Sequence, residues 1–192
     1  EGDHNAVGCL AAIANLCAEI KTPVIVKETG CGISYETARQ CWGAGARAVD
    51  IAGRGGTSWA PVERVRAEES KNDGDRYLRS LGEDFAAWGI PTVVSLVEVT
   101  DTGSPVIASG GIRNGIDVAK ALALKADLCG MALPFLKPAL ESDEALTLQV
   151  ETIHHELAAS MFLCGAARPS DLRKTRVYIT GTTRQMIGER TG

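Results

Sequence analysis

The chain has 192 residues, 45% of them hydrophobic, which is enough apolar side chain for one or at most two packed domains and excludes disorder throughout. Twenty Lys and Arg stand against 24 Asp and Glu, and the formal charge of −4 excludes a general nucleic-acid or anionic-membrane surface while leaving room for a local phosphate site and a small-molecule partner. No window reaches the roughly 18 uninterrupted apolar residues of a membrane span, and the start lacks the basic-then-apolar layout of a secretory signal, so a soluble, cytoplasmic protein is expected. Cys9, Cys17, Cys31, Cys41, Cys129 and Cys164 form no Cys-x-x-Cys pair and sit mostly in apolar or Ala-rich surroundings. They predict buried thiols in a reducing compartment, with only Cys31, in a glycine-flanked loop, exposed. The opening EGDHNAVG has no Met and runs directly into a helical pattern, as a piece of a longer chain would.

Val7, Leu10, Ala11, Ala14, Cys17 and Ile20 recur at three- and four-residue steps and predict a helix with one buried face, ended by Lys21-Thr22-Pro23. The continuous β-branched run Pro23 to Lys27 predicts a parallel strand covered on both faces. After the glycine-rich loop Glu28 to Gly32, Ser34 is placed to cap a helix through Ala38, Cys41 and Trp42, closed by Gly43 and Gly45. A second short buried strand, Ala46 to Ile51, leads into GRGGTSW. Residues 61–82 are charge-rich, contain Asn72-Asp73-Gly74 and show no long apolar stripe, and so predict a mobile loop. In Glu83 to Val99, Phe85, Ala86 and Trp88 suit a helix whereas Thr92 to Val99 are strand formers. The crossover that a parallel sheet needs, with Pro91 in a first turn, decides for helix. Pro105 to Ser109 is a third strand, after which Asn114 caps a helix bearing Ile116, Ala119, Leu122 and Ala123, with Asp117 in its first turn. Ala126 to Met131 is a fourth strand, followed by Ala132-Leu-Pro-Phe and a long amphipathic helix from about Asp143 to Leu163 that stops at Gly165. Short helices are expected near Ser170 to Lys174 and Thr183 to Arg190.

Four strands alternating with helices, each followed by a loop of ligand-binding type, make an α/β unit that is either half of an eight-stranded (β/α)8 TIM barrel or a small open sheet. A half-barrel exposes two strand edges, so it pairs with a second copy or belongs to a longer chain.

The strongest chemical signal is a pair of turns at the ends of consecutive strands, SGGIRNG and GMA. Glycine lets backbone approach a phosphate, and free amides and the dipole of the helix headed by Asn114 favour a dianion. Gly110, Gly111 and Arg113 are therefore candidate phosphate ligands, against the plainer reading that the glycines only make tight turns. Lys27, ending an apolar strand, either neutralises an anionic ring or substrate or forms a salt bridge to Glu28 or Asp50, and Asp50 carries the same ambiguity. Thr57 in GRGGTS offers a hydroxyl. His154 and His155 read as surface residues because no carboxylate or Cys stands at metal-binding spacing.

The succession PVIVKETGCGIS, AVDIAGRGGTS, WGIPTVVSLVEV, VIASGGIRNGIDVAKALALKAD, GMALPFLK and MFLCGA resembles the type 2, flavin-dependent isopentenyl-diphosphate isomerases over nearly the whole chain. The resemblance implies a (β/α)8 barrel of which residues 1–192 are the C-terminal half, a homo-oligomer in the cytoplasm, and interconversion of isopentenyl and dimethylallyl diphosphate. It also implies reduced FMN with NADPH as reductant, and Mg2+ on the substrate diphosphate. By position, Lys27 would lie beside the flavin ring and Thr57 would contact FMN, while Gly110, Gly111, Arg113, Met131 and Ala132 would wrap its phosphate. No catalytic residue and no metal ligand of the family falls within this chain: the Gln and magnesium-binding Glu stand upstream of Glu1, as do the diphosphate-holding Arg-Lys, His and Asn. These 192 residues alone are therefore expected to be inactive. Cys31 replaces the larger apolar residue usual there. Two alternatives share the same phosphate turns. One is an FMN-dependent oxidoreductase of the α-hydroxy-acid oxidase or dehydrogenase type, which calls for a catalytic His that is missing between Asn5 and Ile153. The other is a non-catalytic, self-associating half-barrel that binds phosphate.

Overall fold

The computed structural model describes residues 5–70 and 76–188; His4, the Asn72-Asp73-Gly74 turn and the last residues of the terminal helix expected to Arg190 lie outside them. Among the described residues four strands, β1 (Ile25–Lys27), β2 (Ala48–Asp50), β3 (Val106–Ala108) and β4 (Leu128–Cys129), form one sheet in the order β1-β2-β3-β4. All neighbours are parallel, with Lys27 opposite Asp50, Asp50 opposite Ile107, and Ala108 opposite Cys129. Parallel neighbours need crossovers, and α2 (Tyr35–Gly43), α5 (Thr92–Thr100) and α6 (Gly115–Ala123) supply them.

Two of these helices start where their caps predict: the Ser34 hydroxyl accepts from Thr37 N–H, and Asn114 Oδ1 accepts from Asp117 N–H. Thr92 to Thr100 is helical despite its β-branched residues, because Pro91 opens it and its inner face buries Val94, Leu96 and Val99. These side chains join Val49, Ile51, Val106, Ala108, Ile112 and Ala126 in one core. Ser95, fully buried in α5, accepts from Ile33 N–H at 2.9 Å and donates to Ile33 C=O at 2.6 Å, fixing the entry to α2.

Several expectations are corrected. The described parts of 61–82 are no loop: α3 (Trp59–Glu69) and α4 (Arg76–Asp84) pack as a helical pair, so tightly that a Cβ on Gly82 would stand 2.5 Å from Ala60 C=O. Their charges pair along the helices, Arg66 with Glu63 at 2.6 Å and Arg64 with Glu68, so the charge density that suggested a loop is a solvated helix face. Helix α1 (Cys9–Glu19) has no buried residue and leaves Leu10 and Leu16 exposed, and edge strand β1 leaves Ile25 half exposed, because nothing among the described residues covers that side. Cys9, in α1, and Cys164, after α8, are exposed, Cys17, Cys31 and Cys129 are intermediate, and only Cys41 is buried. Two helices follow β4 where one was expected: α7 (Leu133–Glu141) tolerates Pro134 in its first turn and Pro138 further along, before α8 (Asp143–Leu163) starts on Ser142. His154 and His155 are exposed on α8, as expected. A 3-10 helix (Pro169–Lys174) and α9 (Gly181–Gly188) complete the chain.

Candidate functional site

The C-terminal ends of all four strands open onto one cavity of about 290 Å³, whose walls include Lys27, Asp50, Thr57, Ser109, Gly110, Gly111, Arg113, Met131 and Ala132. All seven residues singled out in the sequence therefore meet in one place, and the SGGIRNG and GMA turns face the same space. Asp50, Thr29, Gly30, Ser109, Gly130 and Leu133 complete much of the lining and were not among the seven.

The glycines have a packing role that their spacing alone did not reveal. Gly110 and Gly111 sit at φ +93° and +90°, and a Cβ there would stand 2.1 Å from Gly53 C=O and 2.4 Å from Gly55 C=O respectively. The 53–56 and 110–111 loops thus touch backbone to backbone. Thr92 fastens the contact by donating its hydroxyl to Gly110 C=O, and Gly53 N–H donates to Ser109 C=O at 2.9 Å. Gly30 closes against Thr57 in the same way, with its Cβ position 2.6 Å from Thr57 C=O. The tight-turn reading of these glycines is correct, and it is also what aims the loops at the cavity.

Backbone donors are distributed differently from the expectation. In the first turn of α6, Gly115 N–H donates to the Glu156 carboxylate at 2.7 Å, Asp117 N–H to Asn114 at 2.8 Å, and Arg113 N–H to Asp117 at 3.2 Å. Two carboxylates already occupy that helix end, so it is no anion seat. Among the described residues the N–H groups of Gly110, Gly111, Ile112, Met131 and Ala132 have no acceptor. These are the amides left to a ligand, and they belong to the two cavity-facing turns. Glu156, which reaches back 41 positions from α8, carries no local sequence signal.

Two cations and one anion line the cavity. The Arg113 guanidinium bonds Ile112 C=O at 3.3 Å and, among the described residues, has no carboxylate partner. Lys27 Nζ lies 3.4 Å from Asp50 Oδ2 and donates to Glu28 C=O at 3.0 Å, which realises the salt-bridge reading, and its side chain remains 56% exposed at the cavity. Asp50 Oδ1 accepts from Ala52 N–H at 3.2 Å and from the Ser109 hydroxyl. Glu28 turns its carboxylate into its own loop, accepting from Gly30, Cys31 and Gly32 N–H. That folded loop half-buries Cys31, and burial, with the Glu28 charge adding to it, raises its thiol above the ordinary range.

A family model described as FMN-dependent dehydrogenase matches residues 4–179. The isopentenyl-diphosphate delta-isomerase of Methanoregula boonei is 72% identical over 189 residues, covering 98% of this chain and 52% of that protein. The protein of the same name from Methanosarcina mazei is 49% identical over 190 residues, covering 99% of this chain and 51% of its own. The chain spans about half the length of the curated relatives it matches. Among solved structures, a mandelate oxidase aligns with a TM-score of 0.64 at 22% identity, over 88% of this chain and 42% of that one. A lactate oxidase of Pediococcus acidilactici aligns with a TM-score of 0.62 at 23% identity, over 90% and 41%. At such identities the likeness bears on the fold alone, and with the four-stranded parallel sheet it makes this chain a partial (β/α)8 barrel.

Proposed function

The chain belongs to the FMN-dependent dehydrogenase family, and from that premise we propose that it is the phosphate-holding half of an FMN-dependent isopentenyl-diphosphate isomerase barrel. The observation that carries this reading is the convergence of five acceptor-free amides of the two turns, with Arg113, on one cavity. The specific activity, rather than flavin chemistry in general, is supported by the 72% identity to the Methanoregula isomerase.

The donor set fits an FMN phosphate. Gly110, Gly111, Ile112, Met131 and Ala132 present amides, Arg113 supplies a cation, and the positive-φ glycines leave no side chain in the way. Lys27 and Thr57 line the same cavity and are assigned to the flavin ring and its attached chain. When bound, reduced FMN would supply the acid–base chemistry of the allylic shift. The residues of this chain hold and orient it, and Lys27 offers charge complementary to its reduced form. The isomerase reading also includes a magnesium ion on the substrate diphosphate. Its ligands are assigned to the part of the barrel outside these residues. NADPH as reductant, a cytoplasmic location and homo-oligomeric assembly complete the proposal. Six unpaired cysteines support a reducing compartment, and the exposed apolar residues of α1 and α7 support burial against further protein.

Titration of the chain with FMN and with riboflavin, which lacks the phosphate, tests the site. FMN is expected to bind at least about tenfold more tightly, the worth of one charge-assisted hydrogen bond. Combined with the N-terminal half of the Methanoregula relative and reduced FMN, the chain is expected to convert labelled isopentenyl diphosphate, followed by NMR. Equal affinity for the two flavins would overturn the phosphate site; FMN binding without conversion by the reassembled barrel would overturn the isomerase reading.

A further inference from the structure

Asp50 is an unusual residue to find at the end of a core strand. Its side chain is only 14% exposed, and it lies in the floor of the cavity between Lys27 on β1 and Ser109 just after β3. A carboxylate taken out of water requires compensation, and an asparagine would meet most of what the site asks. The Oδ1 atom accepts from Ala52 N–H and from the Ser109 hydroxyl, and an amide oxygen would do both. The Ala52 bond also steadies a non-glycine residue at φ +34°. Only the third contact, Oδ2 to Lys27 Nζ at 3.4 Å, calls for negative charge. Lys27 and Asp50 are register partners across β1 and β2, so the pair is built into the sheet. The neighbouring carboxylate, Glu28, is committed to its own loop amides and does not compete. With Lys27, Arg113 and Asp50 as the charged residues of the lining, the cavity carries one net positive charge, and Asp50 sets that figure.

We propose that Asp50 is a positioning residue of the flavin site: its carboxylate fixes the Lys27 ammonium at the cavity and offsets part of its charge, and so sets how strongly the site prefers reduced, anionic flavin over oxidised flavin. This inference rests on the FMN reading above. Replacing Asp50 by Asn keeps the two Oδ1 bonds and leaves Lys27 without a counter-ion, so reduced flavin gains relative to oxidised flavin.

The measurement is the potential of FMN bound to the chain, by dye-referenced reductive titration, together with the affinity for each flavin state. Asp50→Asn is expected to raise the ratio of reduced to oxidised affinity about tenfold, equivalent to about 30 mV for the two-electron couple. Asp50→Glu, which restores the charge, is expected to stay within about twofold of the unaltered chain. Should Asp50→Asn not fold, Ser109→Ala serves instead. Losing one donor to Oδ1 makes the carboxylate more negative toward the cavity and is expected to move the ratio the other way, about twofold. A role in folding alone would weaken both flavin states equally and leave the ratio unmoved, which would overturn the role of Asp50. An unaltered chain that binds no FMN would overturn the flavin reading as well.

Discussion

Replacing Gly110 by Ala isolates what the loop contact contributes. Two costs are readable from the structure. The first is conformational: φ is +93°, where an L-residue with a Cβ is disfavoured by about 1–2 kcal/mol. The second is steric: the new Cβ would stand 2.1 Å from Gly53 C=O and 2.5 Å from Gly53 N, both backbone atoms that move only if the 53–56 loop moves. Overpacking of this kind costs about 1–3 kcal/mol more. Gly103 is the natural control, since it also has a positive φ, +74°, but a Cβ there meets nothing within 4 Å. In urea unfolding, Gly103→Ala is expected to lose about 1–2 kcal/mol and Gly110→Ala about 2–5 kcal/mol. FMN binding is expected to fall with Gly110→Ala alone, because the displaced loop lines the cavity. Equal losses for the two variants would refute the claim that the loops touch.

Arg113→Ala is expected to weaken FMN by about 1–3 kcal/mol while leaving riboflavin affinity unchanged, measured by fluorescence titration; a matching loss for riboflavin would remove the arginine from the phosphate. Ser95→Ala leaves the buried Ile33 N–H and C=O without partners and is expected to cost about 1–3 kcal/mol, visible as a lower Tm. Burial pushes the Cys129 thiol up to about 11. Iodoacetamide at pH 8 should therefore modify the exposed Cys9 and Cys164 well before Cys129, as read by peptide mass. Because the folded value lies above the unfolded one, the contribution of Cys129 to stability is present below about pH 9 and declines as pH rises toward 11, so the urea midpoint should fall across that window.

Local chemistry was legible in the sequence and coverage was not. Ser34 and Asn114 could be read as caps because a cap is a relation over three residues. The strand ends and their glycine turns could be read because glycine punctuates short β-branched runs. Whether α1 and β1 are covered depends on what lies beside them, and no periodicity within Val7 to Lys27 carries that information. The pair α3 and α4 escaped notice because its stabilising contacts, such as Gly82 on Ala60, join positions that are not close in sequence. The same distance hid Ser109 from Asp50, 59 positions apart, and Glu156 from Gly115. The seven candidate residues come together at one cavity because each stands at a strand end or in its turn, and β-sheet register does the rest.

The backbone-to-backbone seam between Gly53–Gly56 and Gly110–Gly111 makes the two turns a single mechanical part. A Cβ at Gly55, Gly110 or Gly111 would collide with the backbone of the opposite turn, so the two must drift or be transplanted together. A designer who grafts only SGGIRNG onto a new scaffold would import the donors without the abutment that aims them.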